Sequence, residues 1–307
     1  MKHNTEFVKR FMDRVGFPTE AQAEFLRIED RIDSEPDFAK DMDALVNEFM
    51  FPTAENIGKY LDIITNELTK KYGENEYTLH EVFLLNCTEI LYNRYIDAGI
   101  PENIYWDTMC DLKYKLMECK ECEHVWGTFV AGWNEGFFKM TRFALGRFQY
   151  EPNIFTHEGG YLTKCGYKIE EGEKIHGFHI PSSGIGLTDE VRLDSYKKAY
   201  EFYKDELEGK PLVLCCGSWL LYPKHREFLP PHMNILKFMD DFEIISEGID
   251  ESFHNDWRLF GHWTEYPLEQ WPEDTSFRRA YKKWLTDGNK AGDGYGVIVF
   301  DGEKILR

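Results

Sequence analysis

The sequence predicts an α+β protein, in which a helical N-terminal domain is followed by a mixed β-sheet flanked by helices. Three observations support this fold class. Residues 1–125 carry apolar side chains at helical spacing, without the alternation typical of strands. Residues 126–307 contain several strand-like segments. Between Lys174 and Tyr203, a strand, a glycine-containing loop and a helix follow one another. The length of 307 residues suits two domains.

The helical domain is predicted to span residues 1–125. Phe7, Phe11 and Val15 fall on one face of its first helix. The segment Gly99–Pro101 ends one helix and begins another, because proline suits the first turn of a helix. The other predicted helices are Glu20–Ile32, Phe38–Phe49, Thr53–Lys70, Leu79–Tyr95 and Pro101–Glu118.

The first strands of the second domain, residues 126–307, are predicted close to its start. Gly132–Met140 and Thr141–Glu151 are expected to form a hairpin or one long bent strand. The apolar alternation in the second segment slips by one position at Arg147, which a β-bulge at Gly146 would produce.

The later strands include an uncharged run, Leu212–Leu221. A continuous apolar run between turn signals is typical of a central strand buried on both faces. Further strands are predicted at Lys174–Ile180, Phe242–Ile249, Arg258–Thr264 and Val297–Phe300, and helices at Leu193–Tyr203, from Asn234 onward and at Thr275–Leu285.

The composition excludes several classes of function. A net charge of −19 argues against nucleic-acid binding, which needs Lys and Arg for phosphate contacts, and against anionic membranes. No apolar run reaches the length of a membrane span, and the N-terminus lacks a signal-peptide core, so the expected location is the cytoplasm. Cys119 and Cys122 form one C-x-x-C without a second ligand pair, and no metal site is predicted.

The loop Ser182–Gly186 has little side-chain bulk and joins a strand to a helix start. This geometry presents backbone N–H groups to an anion, so the loop is a candidate phosphate or pyrophosphate cradle. The alternative interpretation is an ordinary connection that needs glycine for its turns.

Two side chains are candidate general bases. Glu151 is predicted at the end of a strand after an aromatic run, where a carboxylate is partly desolvated. His179 lies on the strand before the glycine loop, with His176 pointing to the opposite face. The alternatives are a solvated strand end for Glu151 and a packed core position for His179. The sequence contains no Walker loop, no H-E-x-x-H and no G-x-S-x-G motif.

Taken together, these residues resemble the GNAT N-acyltransferases. Gly184 and Gly186 match the second half of the family's Q/R-x-x-G-x-G/A loop, and Pro181 stands where the family usually has Gln or Arg. The chain more closely resembles a bacterial two-part family, an N-acyltransferase N-terminal helical domain joined to a GNAT-like C-terminal domain. The segments that carry this resemblance are Gly146–Glu151, His179–Gly184, Asp194–Tyr203, Cys216–Pro223, Leu229–Phe238 and Glu273–Gly288, with weaker similarity at Gly99–Leu112.

The resemblance implies a role for each of these positions. Phe178–Ile180 would pair its backbone with the pantetheine arm, and Cys216–Leu220 would diverge from it to leave a slot for the thioester. The residues implied in binding CoA are Phe178, Ile180, Ser182, Ser183, Gly184, Ile185, Gly186, Ser218 and Asn234. Tyr222 would be the acid, and Glu151 or His179 the base.

The function implied is transfer of an acyl group, expected to be acetyl, from acyl-CoA to a small-molecule or peptide amine by direct attack. Acetyl-CoA or another acyl-CoA would be the co-substrate, without a metal. The alternative is a GNAT-like module that binds CoA or a peptide without catalysis, which Pro181 and the absence of an obvious base favour.

Overall fold

The computed structural model describes residues 4–52, 54 and 56–307, which form two compact units that divide between Phe143 and Ala144. None of its helices, over these described residues, is both long and apolar enough to cross a membrane. The helices of the first unit are α1 (Thr5–Val15), α2 (Thr19–Ser34), α3 (Pro36–Met50), α4 (Ile57–Ile63), α5 (Thr69–Tyr72), α6 (Glu76–Asp97), α7 (Glu102–Glu123) and α8 (Glu135–Phe138).

The helices predicted for residues 1–125 are present. Asn4 caps α1 by accepting a hydrogen bond from the Phe7 N–H, and Gly16 ends this helix in the left-handed conformation that glycine tolerates. A π-helical turn, Ile64–Leu68, joins α4 to α5. Thr53, the predicted start of the fourth helix, lies outside the described residues.

The first unit buries an acidic pair between α6 and α7. Glu81 is fully buried, and neither of its carboxylate oxygens has a hydrogen-bond partner among the described residues. Burial, reinforced by the nearby Asp111, raises the pKa of Glu81 well above its ordinary value of 4.5. The folded protein therefore holds this proton more tightly than the unfolded chain does, and the free energy of unfolding falls as the pH rises above 4.5.

Glu81→Gln is accordingly expected to stabilise the fold at about pH 8, by about 1–3 kcal/mol, because it removes a buried carboxylate without a partner. The difference should shrink as the pH falls towards the ordinary pKa of glutamate. Urea unfolding at several pH values measures this, with exposed Glu48→Gln as the control. A Glu81→Gln variant with the parent's pH dependence would contradict the prediction.

The second unit is built on a six-stranded mixed sheet with the strand order β1-β2-β5-β6-β8-β7. A small hairpin, β3–β4, stands apart from it. The strands are β1 (Phe143–Leu145), β2 (Phe148–Ile154), β3 (Tyr161–Leu162), β4 (Lys168–Ile169), β5 (Lys174–His179), β6 (Leu212–Ser218), β7 (Glu243–Asp250) and β8 (Ala291–Phe300). Its helices are α9 (Asp189–Leu207), α10 (His225–Phe228), α11 (Asn234–Met239), α12 (Trp257–Phe260) and α13 (Ser276–Thr286).

Helices cover one face of the sheet. Phe148 and Phe178 project from β2 and β5 and pack against Tyr196 of α9 and Phe238 of α11. Because side chains alternate along a strand, their sequence neighbours project from the opposite face. A smaller core on that face contains Phe155, Ile169, Ile175, Val213, Cys215 and Val297. The predicted fold class, a helical region followed by a mixed sheet flanked by helices, is confirmed.

Two of the predicted strands are wrong. Gly132–Met140 contains a 3-10 turn and α8, because Trp133, Phe137 and Phe138 have helical spacing, which their aromatic character obscured. Arg258–Thr264 forms the rest of α12 and a further 3-10 turn.

The predicted bulge near Arg147 is also wrong. Gly146 and Arg147 form a turn between β1 and β2, and Gly146 has a φ of +78°, which favours glycine. Glu151 therefore lies in the middle of β2 and not at a strand end. Proline is tolerated at the next position because β1 spans only three residues, so β2 has an uncovered edge at Pro152.

Candidate functional site

The candidate site lies where two parallel strands of the sheet separate. β5 pairs with β6 through His176 opposite Leu214 and Gly177 opposite Cys215. β6 continues to pair with β8 as far as Ser218, whereas its pairing with β5, among the described residues, ends at Gly177 opposite Cys215. The two strands therefore leave an opening that begins at Phe178 on one side and Cys216 on the other.

The two candidate bases form a hydrogen-bonded pair beside this opening. Nε2 of His179 lies 2.6 Å from Oε1 of Glu151. Antiparallel pairing of β2 with β5 sets Glu151 opposite Gly177, so Glu151 and His179 project from the same face of the sheet. Their side chains are 26% and 33% exposed, which leaves both accessible to a substrate.

Gly217 leaves a gap on the same face of the sheet, between the His179 strand and Tyr295 of β8. Gly217 pairs with Tyr295, and a Cβ atom on this exposed glycine would lie 3.6 Å from the Tyr295 ring. Burial, with a hydrogen bond to Cys215, raises the pKa of the Tyr295 hydroxyl. The Cys215 thiol also accepts a hydrogen bond from the Asn153 amide, at 3.3 Å. Tyr295 was not among the site residues predicted from the sequence.

The predicted phosphate loop leads directly from this opening to α9. Gly184 has a φ of +75°, a conformation that side chains other than glycine rarely adopt. No neighbour lies within 4 Å of the Cβ position at Gly184 or Gly186, so this part of the loop is open. The Ser183 hydroxyl accepts a hydrogen bond from the Ile185 N–H, which stiffens the turn.

The start of α9 itself is a poor anion site. Thr188 caps the helix by accepting a hydrogen bond from Val191, and the first turn carries Asp189 and Glu190. These carboxylates already occupy the positive end of the helix dipole and would repel a phosphate. A bound anion would therefore be held by loop N–H groups, and the helix start predicted from the sequence would contribute little.

The other predicted residues occupy varied positions. Phe178 is buried in the helix-covered core, so only its backbone faces the opening. The Ser218 hydroxyl accepts a hydrogen bond from the Leu220 N–H, and Ile180 is half-buried.

Tyr222 is buried beside Gly292, and this burial raises the pKa of its hydroxyl. Asn234 is exposed at the first residue of α11. No hydrogen bond joins Tyr222 or Asn234 to another described candidate.

The remaining histidines of this unit include two that are structural. His176 packs against the Tyr203 ring of α9, on the opposite face from His179, and burial lowers its pKa to about 4. His225 is buried against Tyr281, and burial likewise lowers its pKa to about 4. Among the described residues, no group of three or more His, Cys, Asp or Glu side chains is placed to hold a metal ion.

Comparison with known families gives two matches that together span most of the chain. Residues 143–298 match the family described as GNAT-like C-terminal domain. Residues 6–140 match the family described as N-acyltransferase N-terminal domain. These matches confirm the resemblance drawn from the sequence. No curated protein is detectably similar in sequence.

Several solved structures share the fold over 98% of this chain. One is an acyltransferase mutant in complex with octanoyl-CoA, with a TM-score of 0.72, 16% identity and 89% of that chain covered. Another is an acyltransferase in complex with decanoyl-CoA and teicoplanin, with a TM-score of 0.71, 16% identity and 89% covered. A third holds decanoyl-CoA, with a TM-score of 0.71, 18% identity and 89% covered. At these identities, the likeness concerns the fold.

Proposed function

The chain belongs to the GNAT-like C-terminal domain family, and from this premise we propose that it transfers an acyl group from acyl-CoA to an amine. The observation that carries the proposal is the opening between β5 and β6, with a hydrogen-bonded His–Glu pair at one side and an open glycine loop at its end. The pantetheine arm would enter this opening and pair with the edge of β5 that faces β6, at Phe178–Ile180. The residues proposed to hold the CoA phosphates are those of the loop, Ser182–Gly186.

His179 and Glu151 would act together as the general base. With Nε2–H donated to Glu151, Nδ1 of His179 is the nitrogen that takes the proton, directly or through a water. The proton comes either from the acceptor ammonium before attack or from the amine nitrogen as it attacks. Glu151 would orient the imidazole and stabilise its charged form. Backbone N–H groups on the edge of β5 that faces the opening would polarise the thioester carbonyl.

Two tyrosines are proposed to hydrogen-bond the departing thiolate. Tyr222 is implied by the family resemblance. Tyr295 lies on the same sheet face as His179. On the strand between them, β6, the residue beside Tyr295 is Gly217, which has no side chain, and this position favours Tyr295 over Tyr222. Its raised pKa keeps the hydroxyl protonated at neutral pH, so that it remains a donor.

The acyl group expected from the sequence is acetyl, and a medium-chain acyl group is the second candidate. The octanoyl and decanoyl chains belong to the similar acyltransferase structures and motivate the second choice. The proposed acceptor is a small-molecule amine. An anionic protein attracts a cationic amine, and teicoplanin in one similar structure makes a bulky acceptor worth including.

Thiol release is the test of this function. Acetyl-, octanoyl- and decanoyl-CoA are each incubated with the protein and a panel of amines that includes small diamines and a glycopeptide. We expect amine-dependent release of CoA for at least one pair, with the acylated amine identified by mass spectrometry. Binding of CoA without turnover across the panel would favour the non-catalytic module, and absence of CoA binding would exclude both.

A further inference from the structure

A buried arginine lies beneath the glycine loop. Arg147 is the second residue of the turn between β1 and β2 and is only 8% exposed. Its Nη1 donates to the carbonyl oxygen of Pro181, and its Nε donates to that of Ile185, each at 2.9 Å. One guanidinium therefore binds the loop at both ends, through the backbone and independently of the loop's side chains.

A second arginine extends this support to the start of α9. Nη1 of Arg192 donates to the carbonyl oxygen of Leu187, at 2.7 Å. Nε of the same side chain binds buried Asp241, at 2.6 Å, and Asp241 in turn accepts a hydrogen bond from Tyr196. The carbonyl groups of Pro181, Ile185 and Leu187 are thus all directed at guanidinium groups.

The orientation of these carbonyl groups fixes the direction of the N–H groups that follow them. In a trans peptide, the N–H points opposite to the preceding C=O. The peptide bonds after Pro181 and Ile185 are trans, so the N–H groups of Ser182 and Gly186 point away from Arg147. Both residues are exposed, and the Gly186 N–H has no acceptor among the described residues. Backbone N–H groups on an open glycine loop are suitable donors to a phosphate.

We propose that Arg147 is a positioning residue for the diphosphate of acyl-CoA. It holds the peptide groups at Pro181 and Ile185 so that the Ser182 and Gly186 N–H groups face the ligand. The inference rests on the proposed function. It also explains how the loop can have Pro181 at the position where the GNAT motif usually has Gln or Arg. Here the guanidinium comes from the β1–β2 turn, more than thirty residues earlier in the chain.

Comparison of CoA with pantetheine, which lacks the diphosphate, tests this inference. Arg147→Met keeps most of the buried stem but removes both donors. We expect calorimetry to show CoA affinity weakened by about tenfold or more, while pantetheine affinity stays within about twofold of the parent value. Arg147→Lys offers one ammonium to two carbonyl groups. Its CoA affinity should therefore lie between that of the parent and that of Arg147→Met. The matched control is Arg279→Met, which removes an exposed guanidinium that also donates to a backbone carbonyl.

The two ligands separate positioning from a general structural role. If Arg147→Met folds and binds CoA as tightly as the parent, or loses CoA and pantetheine affinity equally, the inference is wrong. If the methionine variant does not fold, the ratio of CoA affinity to pantetheine affinity is measured with the lysine variant, for which a smaller but still selective loss of CoA affinity is expected. A parent protein that binds neither ligand would overturn the proposed function itself, which is a different result from either outcome for the variants.

Discussion

Glu151→Gln and His179→Ala are each expected to lower turnover by about a hundredfold or more and to leave CoA affinity nearly unchanged. The physical reason is the 2.6 Å contact between Nε2 of His179 and Oε1 of Glu151. A neutral amide cannot stabilise the imidazolium that forms when the amine loses its proton, and alanine removes the proton acceptor altogether. Steady-state kinetics with the best acyl-CoA and amine pair, together with CoA calorimetry, measure both quantities.

The double variant distinguishes a pair from two independent groups. If the two side chains act as a unit, the turnover of the double variant should be about as low as that of the less active single variant, because losses within a unit are not additive. The control is His254→Ala, which breaks a histidine–carboxylate contact of similar length, 2.8 Å to Asp250, with the imidazole largely exposed. Full turnover in both single variants would show that neither side chain is the base, and Tyr222 or a water held by Ser218 would be tested next.

The parts of the site that lie within one continuous segment could be predicted from the sequence. The strand, loop and helix from Lys174 to Tyr203 have local signals, namely apolar periodicity and glycines at a turn, and these signals identified β5, the open loop and α9. Glu151 and His179 could each be selected as polar residues among apolar neighbours. Their contact could not be predicted, because it depends on the antiparallel register of β2 with β5.

Tyr295 and Arg147 were missed because their roles depend on distant contacts. Tyr295 lies between Gly294 and Gly296 in a segment whose glycines resemble a loop. Those glycines instead allow close packing. A Cβ at Gly294 would lie 2.3 Å from the Leu221 carbonyl oxygen, so β8 needs glycine there to remain a strand. Arg147 was interpreted as a slip in strand phase, and its partners, Pro181 and Ile185, lie far along the chain.

Helical segments show the same limit of local signals. Gly132–Met140 was predicted as a strand because it is rich in aromatic residues, yet it is helical in the structure. The Arg142 guanidinium lies 3.8 Å from the centre of the Trp133 ring and donates to the Trp133 carbonyl oxygen. That contact joins residues nine positions apart, so it could not be predicted from either strand or helix periodicity.

Gly217→Val is expected to leave the fold intact and to lower turnover by at least about a hundredfold, since misplacement of a reacting group by about 1 Å has effects of that size. Gly217 does not have a positive φ, and its Cβ position makes only an ordinary contact, 3.6 Å from the Tyr295 ring. A β-branched side chain suits a strand, so thermal stability should equal or exceed that of the parent. The added methyl groups would project from the face that carries His179 and Tyr295 and fill the gap between them.

The binding pattern of Gly217→Val should differ from that expected for Arg147→Met in its effect on pantetheine. Blocking the opening between β5 and β6 obstructs the pantetheine arm, so CoA and pantetheine should both bind about tenfold or more weakly, whereas loss of the loop support affects CoA alone. Gly217→Ala, with a shorter side chain, should give a smaller loss of both affinity and turnover. A folded Gly217→Val protein with parental turnover would show that the thioester does not pass through this opening, because the valine side chain would narrow it.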